Sequence, residues 1–97
     1  MTFAVTVEIM NKKGLHARAA AKFVKIVAAF DAQVQVVKLG HCAEADSEPV
    51  TGSSILGLMM FGADPGSKLH ISATGNQASE VVAALKELID NRFGEPE

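Results

Sequence analysis

Phe3, Val5, Val7 and Ile9 alternate with Ala4, Thr6 and Glu8, the period of a strand with one buried face. Asn11–Lys12–Lys13–Gly14 breaks the alternation and reads as a turn. From Ala17 to about Phe30 the spacing lengthens. Ala20, Phe23, Val24 and Val27 form an apolar stripe with Lys22 and Lys25 off it, which predicts an amphipathic helix. Gln33 to Leu39 reads as a second strand in which adjacent Val36 and Val37 call for a bulge or a strand end. Gly40 to Gly52 has no clear period; a hairpin with a long loop and a short third strand near Val50 is expected there. Ser53–Ser54 then precede the apolar run Ile55–Phe61, a short helix with a serine N-cap that stops at Gly62 before an Asp64–Pro65–Gly66 turn. Leu69, Ile71 and Ala73 mark the last strand. Ala78, Val81, Val82, Leu85, Leu88 and Ile89 mark a last helix starting after Gly75–Asn76 and ended by Gly94 and Pro96. The order β-α-β-β-α-β-α predicts an α/β two-layer sandwich: one sheet with the helices on one face.

At 97 residues this is one domain, spanning 1–97, with neither repeat nor linker. Hydrophobic residues are 48% and charged residues 21% of the chain, enough apolar material to fold unaided. Without Trp or Tyr the core must be mostly aliphatic. A net charge of −2 argues against a nucleic-acid binder. No apolar run approaches membrane-span length, and no signal-peptide pattern follows Met1. The lone Cys42 excludes an internal disulfide. A soluble, cytoplasmic domain is expected.

The charge is uneven. Residues 1–30 carry five basic groups (Lys12, Lys13, Arg18, Lys22, Lys25) against Glu8, while residues 31–97 carry four basic groups and ten acids. The cationic third either meets an anionic ligand or acidic partner, or is only a solvated lysine face.

Gly14–Leu15–His16–Ala17–Arg18–Ala19–Ala20 spans the junction of turn and helix. The first N–H groups of a helix lack intrahelical partners, and the helix end carries a partial positive charge. A neutral imidazole nitrogen held there is a nucleophile. If it takes a phosphoryl group, the new anion meets the backbone N–H groups of Ala17, Arg18 and Ala19. Arg18 adds a planar, charged donor for phosphoryl oxygens. On these residues alone, phosphoryl chemistry and a merely exposed histidine in a turn both stand.

The segment Gly14–Arg18, with Ala20 and Lys22–Phe23–Val24–Lys25, resembles the histidine-containing phosphocarrier (HPr) family of the bacterial phosphoenolpyruvate-dependent phosphotransferase system. Ser54–Met60 resembles the same family's regulatory serine motif with its short helix, in the expected order along the chain. The resemblance covers essentially the whole chain. It implies an open-faced sandwich with a four-stranded antiparallel sheet and three helices. His16 then takes a phosphoryl group on Nδ1 from phosphorylated Enzyme I and passes it to a histidine-bearing EIIA domain, with Arg18 assisting. Ser54 matches the serine modified by a kinase/phosphatase, with Ser53 as the neighbouring candidate. Such a protein is a carrier rather than a turnover enzyme. It needs no cofactor, and is expected to act as a monomer.

Two departures stand out. Ala19 occupies a position where the family commonly has proline. In the first helical turn this costs the helix nothing and leaves one extra amide. The stretch from Gly40 to Ser53 is longer than the family's hairpin. The Ala-containing motif, the Gly–Leu–Met–Met helix and the Asn91–Arg92–Phe93–Gly94 ending look most like the alphaproteobacterial form, which usually serves a regulatory, nitrogen-related relay.

Ile55–Phe61 is apolar nearly all round. Leu58 and Phe61 share one side; Ile55, Leu56 and Met59 share another. Either the helix is deeply buried or the second side is a docking surface, completed by Arg18, Ala20 and Lys25, with the basic groups as a rim that steers it toward an acidic partner. His41, Cys42 and His70 lack the spacing of a metal cage, and no metal is expected. The rival function is a small regulatory module that docks partners without phosphoryl transfer; it has no need of a histidine at a helix start.

Overall fold

The computed structural model describes residues 2–39, 50–60 and 65–94. Its elements are β1 (Thr2–Glu8), α1 (Ala17–Ala28), β2 (Gln33–Leu39), β3 (Val50–Thr51), α2 (Ile55–Met59), β4 (Lys68–Thr74) and α3 (Ala78–Asp90), followed by a 3₁₀ turn at Arg92–Gly94. The predicted element order is therefore found. The third strand falls where Val50 placed it; the rest of the expected hairpin, 40–49, lies outside the described residues, as do Phe61–Asp64 and Pro96.

The four strands form one antiparallel sheet in the order β1-β4-β2-β3. Registers align Val5 with Ile71, Ile71 with Val36 and Val36 with Val50, so one apolar row crosses all four strands on one face. Val7, Val34, Leu69 and Ala73 extend that face and are buried. α3 packs on β1 and β4, and α1 packs on α3 and α2, which closes the second layer. The opposite face carries Thr6, Gln33, Gln35, His70 and Ser72, all exposed or half-buried.

Adjacent Val36 and Val37 need no bulge. The β2–β4 register runs unbroken from Gln33↔Thr74 to Leu39↔Lys68. Val37 simply points to the open face, half-buried opposite His70. One valine among polar neighbours on a solvated face costs little, which is why the alternation tolerates it.

On α1, Ala19, Ala20, Phe23 and Val27 are buried, and on α3 Ala78, Val81, Val82, Leu85 and Ile89 are. At Gly52 the chain lies close against the core. A Cβ there would lie 2.7 Å from Val34 Cγ1 and 3.2 Å from Phe23 Cε1, so a side chain would push the β3 exit off β2.

The end of the chain is held from a distance. Arg92 and Phe93 both have positive φ, 54° and 55°, which folds the backbone back and sinks Phe93 fully into the core. Lys22 Nζ donates to the Phe93 carbonyl oxygen at 2.6 Å. This half-buried lysine is therefore a strap between α1 and the 3₁₀ turn. Lys22→Met keeps the stem but removes the donor. It is expected to cost about 1–2 kcal/mol, read as a lower urea midpoint with an unchanged slope.

Candidate functional site

The chain leaving β1 is still anchored at Ile9, whose N–H donates to Ser67 O (2.8 Å) and whose carbonyl accepts from Gly66 N–H (2.8 Å). The turn that follows is closed twice. Gly14 N–H donates to Asn11 O at 3.1 Å, and Asn11 Nδ2 donates to Gly14 O at 2.8 Å. Gly14 has φ +66°, a left-handed conformation that suits a residue without Cβ. Leu15 is buried and pins the next residue to the core.

His16 is thus delivered as the N-cap of α1, in extended conformation with φ −85° and ψ −178°. Its carbonyl accepts the first intrahelical bond, from Ala20 N–H at 2.8 Å. Its imidazole makes no cap bond to the helix, so the N–H groups of Ala17, Arg18 and Ala19 have no acceptor within α1. Ala17 and Arg18 are exposed, while Ala19 turns its methyl into the core. No acidic side chain occupies this first turn. The result is a half-buried imidazole at the head of a 12-residue helix, with three donor amides and one exposed guanidinium in the same turn.

Ser54 is the N-cap of α2, and its Oγ accepts from Gly57 N–H at 3.0 Å. It is half-buried. Ser53 is exposed, with its hydroxyl 3.0 Å from Thr51 Oγ1. Gly57 permits this arrangement, since a Cβ there would meet Val50 Cγ1 at 2.5 Å and Ser54 Oγ at 3.1 Å.

The two sides of α2 part as the spacing predicts. Leu58 is fully buried, while Ile55 and Met59 are each 41% exposed and Leu56 69%. Lys25 is exposed on α1, the helix against which α2 packs. Ala20 is a correction: it is fully buried, because its methyl sits on the same stripe as Phe23 and Val27, and it presents no surface to a partner. Two exposed methionines, Met10 and Met60, were not anticipated as surface residues. Asn11 was read only as a turn residue, yet it is fully buried. Its Asn-x-x-Gly spacing was the available signal, since an asparagine amide can close a turn on the residue three positions on. His70 lies on the open face, with Nδ1 3.2 Å from Thr6 Oγ1. His41 and Cys42 lie outside the described residues.

The site is thus a half-buried histidine at a helix head on an open-faced sandwich. The family model described as PTS HPr component phosphorylation site matches residues 3–91. The phosphocarrier protein HPr of Pseudomonas aeruginosa is 46% identical over 94 residues, covering 97% of this chain and 98% of that protein. The phosphocarrier protein NPr of Escherichia coli K12 is 36% identical over 95 residues, covering 98% and 99%. Among solved structures, HPr from Thermoanaerobacter tengcongensis superposes with a TM-score of 0.84 at 40% identity, covering 98% of this chain and 99% of that one.

The chain belongs to the PTS-HPr family. It is a phosphocarrier of the phosphotransferase system and not a turnover enzyme. A docking module without phosphoryl transfer finds no support among these relatives. Among the described residues no helix is long and apolar enough to cross a membrane.

Proposed function

We propose that His16 is the residue that carries the phosphoryl group, taking it on Nδ1 from phosphorylated Enzyme I and passing it to an EIIA-type domain. The single observation behind this reading is the placement of His16 as N-cap of α1, with the Ala17, Arg18 and Ala19 amides left without helical acceptors. The Nδ1 lone pair forms a bond to phosphorus as the donor's bond to the same phosphorus breaks. The Nε2 proton stays on the ring. In the adduct the phosphoryl oxygens accept from the three amides, and on transfer to EIIA the same bonds are made and broken in reverse.

Arg18 assists by donating to those oxygens as charge builds on them. One charge-assisted hydrogen bond formed in the transition state is worth about 1.5–3 kcal/mol, roughly ten- to hundredfold in rate. Arg18→Ala is expected to slow transfer by that factor while leaving stability nearly unchanged, since the side chain is exposed. Arg18→Lys should recover only part of the loss, because the planar fork is gone. Stopped-flow transfer from phosphorylated Enzyme I measures both, and full recovery by lysine would show that charge alone suffices.

Docking falls to the Ile55, Leu56 and Met59 face of α2, with Lys25 and Arg18 as its basic rim toward an acidic partner surface. Ser54, at the edge of that face, is the residue for a regulatory kinase/phosphatase, with Ser53 as the alternative acceptor. The protein acts in the cytoplasm as a monomer, in a regulatory relay of the nitrogen-related kind. Incubation with phosphoenolpyruvate and Enzyme I tests the acceptor assignment. One acid-labile phosphoryl increment, mapped to His16 and lost on adding EIIA, supports it; labelling elsewhere or none at all overturns it.

A further inference from the structure

Asn11 is the one polar residue among the described residues that is fully buried, and it stands five positions before His16. Burying an amide is costly unless its hydrogen bonds are replaced. Here the side-chain amide meets the backbone of Gly14. Asn11 Nδ2 holds the Gly14 carbonyl at 2.8 Å, while the Asn11 carbonyl holds the Gly14 N–H at 3.1 Å. Both polar groups of Gly14 are therefore fixed by one residue.

That residue controls the softest point of the approach to the site. Gly14 sits at φ +66° and, lacking a Cβ, has more conformational freedom than any other residue type. It is followed by Leu15, which is anchored in the core, and then by His16, whose imidazole makes no cap bond to α1. Rotation at Gly14 would thus be felt as a change in where the ring stands relative to the amides of Ala17, Arg18 and Ala19. Ile9, fixed to Ser67 and Gly66 on the far side of the turn, supplies the rigid base against which Asn11 works.

We propose that Asn11 is a positioning residue for phosphoryl transfer. It locks the Asn11–Gly14 turn so that His16 is presented in line with an incoming phosphoryl group. This rests on His16 being the acceptor. Asn11 touches neither phosphoryl group nor partner; it acts through the backbone. Misplacement of a reacting group by about 1 Å costs up to roughly a hundredfold in rate. Loss of the lock should therefore appear in the transfer step and not in docking, which uses the α2 face.

The test compares Asn11→Ala and Asn11→Asp with the core variant Val34→Ala, under single-turnover transfer from phosphorylated Enzyme I, with melting temperature recorded for each. Aspartate keeps the size of asparagine but, ionised, cannot donate to Gly14 O. Val34 is buried at the opposite end of the sheet, beside Ala73. Both Asn11 variants should lower the maximal transfer rate roughly ten- to hundredfold with little change in the Enzyme I concentration giving half the maximal rate. Val34→Ala, at an equal or larger loss of melting temperature, should stay close to the wild-type rate. Amide resonances of Gly14 to Ala19 should shift or broaden in the unphosphorylated Asn11 variants alone.

Asn11 variants as fast as Val34→Ala, or a loss confined to half-saturation, overturn the positioning role. So does failure of both variants to fold, which would make Asn11 purely structural. A wild-type protein that takes no label on His16 defeats the acceptor assignment itself. Labelled wild type with unimpaired Asn11 variants defeats only the present inference.

Discussion

His16→Ala is expected to fold like the wild type and to accept no acid-labile phosphoryl group. The first half follows from the local structure. The His16 imidazole makes no cap bond to α1, so its removal takes no hydrogen bond from the helix start. The backbone work at that position is done by the His16 carbonyl, which accepts from Ala20 N–H and survives in alanine. With that backbone bond kept, loss of one half-buried side chain is expected to cost about 1 kcal/mol. The second half follows from the chemistry. The amides of Ala17, Arg18 and Ala19 remain, yet none is a nucleophile, and a cradle without an acceptor binds an anion only weakly. Mass spectrometry after incubation with Enzyme I and phosphoenolpyruvate reads the outcome, with circular dichroism confirming the fold. Retained acid-labile label in His16→Ala would falsify the assignment.

Phosphorylation of Ser54 is expected to slow transfer from Enzyme I to His16 by roughly tenfold or more while leaving the fold in place. The Ser54 oxygen already accepts from Gly57 N–H, and as a phosphate ester it keeps an oxygen there. α2 has only five residues, so the benefit to the anion comes from these nearby N–H groups more than from any summed helix dipole. The penalty falls on the partner side. A charge of about −1.5 to −2 would stand next to Ile55, Leu56 and Met59, which must be desolvated against an acidic surface. Ser54→Asp should reproduce the effect weakly, with one charge and fewer acceptor oxygens. Transfer rates in the truly phosphorylated protein, with thermal melts alongside, decide the matter. An unchanged rate sinks the docking argument. A large loss of stability would instead show that the Ser54 cap cannot tolerate the modification.

Strong periodicity made β4 and α3 legible from the sequence, because each buries one clean stripe. The place of His16 was legible too, since Gly14 and the change of period at Ala17 mark where a helix must begin. What escaped the reading had no periodic signal. Alanine suits surface and core alike, so the pattern that puts Ala20 in a docking patch does not distinguish that place from the core, where its methyl lies. Lys22 reads as one more solvated lysine, and its acceptor, Phe93 O, is 71 residues away in the chain. The left-handed turn at Arg92 and Phe93 uses neither glycine nor asparagine at those two positions, so local preference gives no hint of it. Asn11 has the pattern of an ordinary turn residue, and turns are normally at the surface; here its buried amide donates to Gly14 O.

The strand order has a consequence for when the site comes into being. β4, the last of the described strands along the chain, lies inside the sheet and is the partner of both β1 and β2. Thr2 must wait for Thr74, and Gln33 for the same residue, before either finds its register. A nascent chain that already carries His16 but not yet β4 and α3 therefore lacks the finished sheet and the helix against which α1 packs. The pairing that closes the fold is long-range, so it forms late and all at once. Fragments that stop short of β4 would carry the histidine without the strand that both β1 and β2 need as a partner.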